Sequence, residues 1–424
     1  MDQKLYNQYI TVLNEELVTA LGCTEPIAIA YASALARAQL DRIPDEIIAY
    51  CSGNIIKNVK GVTVPNSGGQ KGVEIAAILG AVGGNPDKQL EVLTSITPEQ
   101  IALSRQLAAD HLCKVELVEG VANLYIRIEM RAGEDSALAE IADKHTNVTR
   151  ISKNGKNLLH KEVQLDDGSA SHKRDFMTIS GILDFAEALQ VSDVKPLLDH
   201  QIDCNMAIAE EGITNTYGAN VGKNILKLYG GNDVETRAKA YAAAGSDARM
   251  SGCDMPVVIN SGSGNQGITV TVPVVQYAQE LHASEEQLYR ALTISNLVAA
   301  HLKSGIGSLS AFCGAVSAAT GSGAAITYLR GGSRAQIEQT ISNTLGTISG
   351  MVCDGAKSSC AAKIASAVDA AILADKMSDN NDYFKGDEGI LGEDIENTIR
   401  NIGRLGRKGM HDTDTEILHM MIGQ

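Results

Sequence analysis

An α+β fold, a predominantly helical domain with a small α/β domain inserted in it, is predicted by three features of the sequence. Apolar residues recur at helical spacing from Asp2 to Leu21 and again through most of the chain after Phe176. From about Glu91 to Lys173 the pattern changes to strand-like alternation broken by turn signals. Between Ser304 and Ala367, Gly, Ala and Ser become dense enough for helix backbones to approach one another closely. The chain then divides into residues 1–90, helices and loops of the main unit; residues 91–175, the small α/β domain; and residues 176–424, the larger helical part.

The first helix shows its apolar face at Leu5, Tyr9, Val12, Leu13 and Leu17 and leads into Gly22-Cys23-Thr24-Glu25-Pro26. Thr24 as N-cap and Pro26 in the first turn predict a second helix over IAIAYASALARAQL. Cys23 would then precede a helix N-terminus, where the positive end of the dipole lowers a thiol's pKa; the plainer reading is a small residue in a tight turn. A strand over Ile47 to Cys51 runs into Ser52-Gly53-Asn54, and Asn66-Ser67-Gly68-Gly69-Gln70-Lys71-Gly72 opens an Ala/Ile/Leu helix. Glycine turns that open helices present free backbone N–H groups to carboxylates or phosphates. The spacing fits neither a Walker A loop nor a dinucleotide fingerprint. A carboxylate-binding loop is therefore preferred, with an ordinary glycine turn as the alternative and Lys71 as either an added charge or a solvated lysine.

The alternating region begins with a helix, PEQIALSRQLAADHL, followed by CKVELVEG and ANLYIRIEMRAG as paired strands. DSALAEIADKHT is predicted as a helix, and NVTRISKNGKNLLHKE as a strand–turn–strand with Asn154-Gly155 at its tip. Little chemistry is visible here, so support, subunit contact or regulation is the expected role. Helical segments resume after Phe176 and reach the loop Asn260-Ser261-Gly262-Ser263-Gly264-Asn265-Gln266-Gly267. Its Ser, Asn and Gln side chains supply neutral donors suited to an amino-acid carboxylate. The tail after Lys376 is polar, partly loop, and closes with a short helix.

A net charge of −15 argues against nucleic acid, which requires clustered Lys and Arg. The polar start MDQKLYNQYI carries no apolar leader, which predicts a cytoplasmic protein. The run from Ser304 to Tyr328 is uncharged and long enough to span a bilayer, but it is rich in Gly and Ser and lacks flanking anchors, so buried helices rather than a membrane span are expected. The 8 cysteines are scattered, which fits a reducing compartment with free thiols. Three of them, Cys313, Cys353 and Cys360, are flanked by small residues and have no close fourth partner. Three such thiols suit a metal cluster with one open coordination position. Structural zinc favours closely paired cysteines, absent here.

Four segments, GCTEPIAIA, NSGSGNQG, SLSAFCGAVSAATG and MVCDGAKSSCAAK, together resemble the iron–sulfur L-cysteine desulfidases, relatives of the oxygen-sensitive L-serine dehydratase alpha chain. The resemblance covers nearly the whole length. It implies that Cys313, Cys353 and Cys360 hold a [4Fe–4S] cluster with one iron free. It also implies a lyase that cleaves L-cysteine to hydrogen sulfide, ammonia and pyruvate, with L-serine dehydration as the alternative. The serine branch's N-terminal Ser-Ser-Ser-His-Thr segment has no counterpart, and HMMIGQ at the end lacks the cysteine that reaches the cluster in some of those enzymes. Cys23 is the candidate for that role, as fourth ligand at rest or as catalytic base. Asp354 either orients a neighbouring group or caps a helix. Ser52, Asn54, Asn66, Ser67, Ser261, Ser263, Asn265 and Gln266 are the candidate substrate contacts. A small amino acid is the expected partner, a homodimer is left open, and a cluster-free amino-acid-binding or regulatory protein is the rival from a different class.

Overall fold

The structure, a computed structural model, describes residues 1–162, 174–307 and 309–423. Ser308, which opens the SLSAFCG segment, and the end of the alternating stretch near Lys173 lie outside the described residues. Helix α1 (Gln3–Glu16) is capped by Asp2, whose carboxylate accepts from the Leu5 amide. Strand β1 (Thr19–Leu21) delivers the chain to α2 (Thr24–Arg37), whose alanines and isoleucines are buried along most of its length. Strand β2 (Glu46–Ser52) runs directly into α3 (Gly53–Val59), and the glycine loop after it leads to α4 (Val73–Gly83). Helix α5 (Pro98–Ala109) opens with a capping box between Thr97 and Gln100.

Strands β3 (Cys113–Val118), β4 (Tyr125–Ala132), β5 (Asp135–Ala142), β6 (Val148–Lys153) and β7 (Lys156–His160) join β2 in a six-stranded sheet. The strand order is β3-β2-β4-β5-β6-β7. β2 is parallel to β3 and antiparallel to β4, so the two strands expected to pair with each other are separated by one that precedes residue 91. The segment DSALAEIADKHT, expected as a helix, is largely strand β5. Its Ala137, Ala139 and Ile141 alternate into the core while β4 and β6 satisfy its backbone on both sides. Tertiary pairing thus overrides the helix propensity of Ala, Leu and Glu. The β6–β7 hairpin turns at Asn154 (φ 50°) and Gly155 (φ 76°), the two left-handed positions that an Asn-Gly turn supplies.

The helical body follows: α6 (Ile179–Ala188), α7 (Lys195–Thr214), α8 (Val221–Tyr229) and α9 (Val234–Met250). Strand β8 (Pro256–Val258) pairs antiparallel with β1, tying the N-terminal segment to this body. Then come α10 (Gly264–Glu280), α11 (Glu285–Ile306), α12 (Gly314–Leu329), α13 (Arg334–Ile348), α14 (Ser359–Asp379), α15 (Ile395–Arg404) and α16 (His411–Ile422). Helix α12 is the axis: every residue from Ala315 to Thr327 is buried, against α10, α11, α13 and α14. Its small residues make this possible. A Cβ at Gly321 would lie 2.3 Å from the Ser295 carbonyl on α11, so only glycine permits that crossing. The uncharged run from Ser304 does not make one helix, since α11 ends at Ile306 and α12 begins at Gly314. Among the described residues no helix is long and apolar enough to cross a membrane.

Candidate active site

Three cysteines lie in one neighbourhood where the central helix begins, near enough to act on one another electrostatically. Cys313 is the N-cap of α12, Cys360 is the second residue of α14, and Cys353 lies on the segment between α13 and α14. Phe312 and Val352 form an antiparallel bridge. On either side of it the Cys313 amide donates to Met351 O at 3.1 Å and the Cys353 amide to Ala311 O at 2.6 Å. Burial, then the neighbouring Cys353 and, less strongly, Cys360, push the Cys313 thiol up to about 12. Burial and, to a lesser degree, Cys353 also raise the Cys360 thiol. Asp354 is partly buried, which raises its carboxyl, but hydrogen bonds from Lys357 and Lys363 outweigh this and hold it at about 2. Lys363 also donates to Val352 O at 2.8 Å, so Asp354 pins the loop through two lysines rather than capping a helix. All eight cysteines are free thiols. Among the described residues no three His, Cys, Asp or Glu side chains stand close enough to share one metal ion.

Cys23, not Thr24, is the N-cap of α2, with φ −80° and ψ 129°. Its side chain does not cap the helix. The thiol donates instead to Glu25 Oε2 at 3.2 Å, and it packs with Val62 and Met250 against Ala356 and Cys360. The lowering expected at a helix start is overturned. Burial, then the Glu25 charge, pushes the Cys23 thiol well up, with Arg249 opposing. Glu25 is fastened on every side: Thr24 Oγ1 donates to Oε2 at 3.1 Å and Asn58 Nδ2 to Oε1 at 3.1 Å. Burial alone would raise this carboxyl, but the His145 charge, the Cys23 hydrogen bond and Arg249 together hold it below its ordinary value. Arg249, one residue from the end of α9, is anchored by Nε donating to Gly22 O at 3.0 Å. His145 comes from the connection between β5 and β6, so the sheet unit reaches the site instead of only supporting it. Burial lowers its imidazole, with Glu25 opposing, and its Nε2 has no hydrogen-bond partner among the described residues.

The loop before α10 enters the same region. Ser263 caps α10 by accepting from the Gln266 amide. Gln266 lies against the start of α12, since a Cβ at Gly314 would be 2.6 Å from its Cδ. Asn265 Nδ2 points to Met250 Sδ at 3.6 Å. The oxygens Asn265 Oδ1, Gln266 Oε1, Asn58 Oδ1 and Asn54 Oδ1 are buried and unpartnered among the described residues. Other predicted contacts are engaged by the protein's own backbone or loop: Ser52 Oγ donates to Asn123 O at 2.7 Å, Asn66 Nδ2 to Leu93 O at 2.9 Å and Ser67 Oγ to Gln70 O at 3.1 Å. Ser261 Oγ donates to Asn260 Oδ1 at 2.9 Å. Lys71 is exposed and lines a cleft of about 500 Å³ with Met250, Ser358 and Ser359, next to Cys360. A larger cavity of about 1420 Å³ is lined by His145, Ser261, Gly262, Lys303 and Ser304, among others. Lys303 is 8% exposed; burial lowers its amine, with Cys353 and Cys313 opposing. Glu25 stood within the quoted GCTEP segment without being singled out. His145, Arg249 and Lys303 carry no local signal, because only the fold brings them together.

A buried thiol and carboxylate at one helix start are thus joined by an imidazole and a guanidinium from two other elements, with Cys360 packed beside them. The profile of the serine dehydratase alpha chain family matches residues 87–419, and the chain belongs to that family. It is similar to a UPF0597 protein of Lachnoclostridium phytofermentans, 50% identical over 419 residues that cover 99% of this chain and 100% of the relative. A UPF0597 protein of Treponema denticola is 48% identical over 427 residues, covering 100% of this chain and 99% of that one. A third, of Finegoldia magna, is 47% identical over 415 residues, covering 98% of this chain and 99% of its own.

Proposed function

We propose that the chain is an iron–sulfur lyase that cleaves L-cysteine to hydrogen sulfide, ammonia and pyruvate. The observation that carries this reading is the proximity of Cys313 at the start of α12, Cys360 at the start of α14 and Cys353 on the segment before it, with Cys23 of the Cys23–Glu25 pair packed against Cys360. The donors suit a [4Fe–4S] cluster. Thiolates are its usual ligands, and they bind different irons, so they need not crowd around one point as ligands of a single ion do. The buried oxygens of Asn265 and Gln266, without partners among the described residues, fit a site that receives a further polar group. When bound, the cluster supplies an open iron that acts as a Lewis acid on the substrate's leaving group.

The chain's own residues carry the proton chemistry. Glu25 Oε2 holds the Cys23 sulfur in place along the existing hydrogen bond, and the raised thiol makes its ionised form a strong base. That thiolate, stabilised by Arg249, takes the substrate α-proton. The Cα–H electrons form the Cα=Cβ bond as the Cβ–S bond breaks, releasing hydrosulfide and aminoacrylate. Water then hydrolyses the aminoacrylate to pyruvate and ammonia. Asn265 and Gln266 orient the amino acid, and the apolar packing of Val62, Met250 and Ala356 excludes water from Cys23. Lys71, which lines the smaller cleft, supplies an added charge there.

The family's serine dehydratase name favours a second reading, L-serine dehydration at the same site. Cysteine is preferred on chemical grounds: thiolate leaves more readily than hydroxide, and a sulfide-rich iron centre accepts a soft ligand. Comparing sulfide release from L-cysteine with pyruvate formation from L-serine, on protein reconstituted without oxygen, tests the choice. A higher kcat/KM for serine reverses the substrate assignment.

A further inference from the structure

Lys303 lies in the last turn of α11, 8% exposed, and its ammonium makes no hydrogen bond or ion pair among the described residues. A buried ammonium without a counter-ion is costly and rare unless something pairs with it. The nearby carboxylate of Asp414 is already taken by Lys57, which is itself buried. Lys303 also lines the cavity of about 1420 Å³, together with Ser261, Gly262 and His145. Two of the three cluster cysteines, Cys313 and Cys353, lie within its electrostatic reach. An anion seated on Lys303 would therefore lie at the wall of the large cavity, within reach of the field of Cys313 and Cys353. The predicted serines and asparagines of the glycine loops offer no full positive charge, and Lys71 lines the other cleft.

We propose that the Lys303 ammonium is the anchor for the carboxylate of an α-amino acid that enters through the larger cavity. This deepens the lyase reading, since it rests on that site being where the amino acid binds, but it can be tested without turnover. An α-carboxylate on Lys303 leaves the amino acid's side chain free to reach towards Cys313 and Cys353. The ion pair formed would be largely shielded from water, where a charge-assisted contact is strong.

The test is calorimetric titration of the full chain, metal-free and after anaerobic reconstitution, with L-alanine and with L-alaninamide, which lacks the carboxylate. Wild type should bind L-alanine measurably and more tightly than L-alaninamide. Lys303→Met should weaken L-alanine about tenfold or more while leaving L-alaninamide unchanged, as loss of a shielded charge pair predicts. Its melting temperature should not fall, because the substitution removes a buried unpaired charge. Lys303→Gln should behave alike and stands in for Met if that variant melts early. The proposal is overturned if wild type fails to bind L-alanine, if it does not discriminate against L-alaninamide, or if a folded neutral variant keeps its L-alanine affinity. Absence of sulfide or pyruvate from any amino acid would instead count against the lyase reading and leave this binding result standing.

Discussion

The Cys23 thiol donates to Glu25 Oε2 at 3.2 Å, two residues further along the same helix start. This pairs the most deeply buried candidate base with a carboxylate that Thr24, Asn58, His145 and Arg249 hold in place and in its ionised form. Cys23 is thereby placed for proton transfer, while the cluster reading needs only the other three thiols. Cys23→Ala should therefore retain most of its iron and sulfide after reconstitution and lose turnover by about a hundredfold or more, the scale expected when a general base is removed. Glu25→Gln should resemble it. Loss of iron together with activity in Cys23→Ala would make this cysteine a ligand instead.

His145 should act through Glu25. His145→Phe removes the imidazole whose charged form lowers the Glu25 carboxyl, so that carboxyl should rise. The acid limb of the pH–rate profile should then move to higher pH, with kcat falling about tenfold and KM little changed. A variant whose KM rises while its pH profile stays in place would assign His145 to substrate binding.

How much of this was legible beforehand follows the physics of each element. The three cysteines stood out because small residues flank each of them, and the Asn154-Gly155 hairpin because its turn chemistry is local. β5 was not legible: Ala, Leu and Glu favour helix in isolation, and only pairing with β4 and β6 decides otherwise. The thiol of Cys23 was expected to be lowered by a helix dipole, but burial beside Glu25 dominates, and burial depends on the whole fold. His145, Arg249 and Lys303 come from three distant stretches, so no spacing in the sequence could join them.

Asp247 gives a pH-dependent stability term. Burial raises its carboxyl from 3.8 to about 6, against hydrogen bonds from the Gly222 and Val221 amides. The folded protein therefore holds this proton more tightly than the unfolded chain. The ionised form costs stability above about pH 6, and the cost fades as pH falls to about 4. Asp247→Asn, which keeps an acceptor for Gly222, should raise the melting temperature at pH 8, by at most about 3 kcal/mol in stability. The gain should disappear near pH 4, and a gain independent of pH would remove burial of the charge as its cause.

Gly355 closes the loop between Cys353 and Cys360 with φ +92°, and a Cβ there would lie 2.4 Å from the Lys57 carbonyl. Gly355→Ala combines backbone strain with a clash against main chain. It should destabilise the protein by about 2–4 kcal/mol and lower iron retention. Denaturant unfolding of the metal-free chain checks the first effect separately from the second. An alanine variant as stable as wild type would show that the loop relaxes easily.

The central claim is that Cys313, Cys353 and Cys360 hold a cluster on which an amino acid is cleaved. Iron and acid-labile sulfide assayed per chain on anaerobically reconstituted protein, alongside sulfide release from L-cysteine, test it most directly. About four of each should be found in wild type, as a [4Fe–4S] centre requires. Cys313→Ala, Cys353→Ala and Cys360→Ala should each lose both the metal and the activity. Full lyase activity in iron-free protein, or full iron content in the three cysteine variants, would contradict the account.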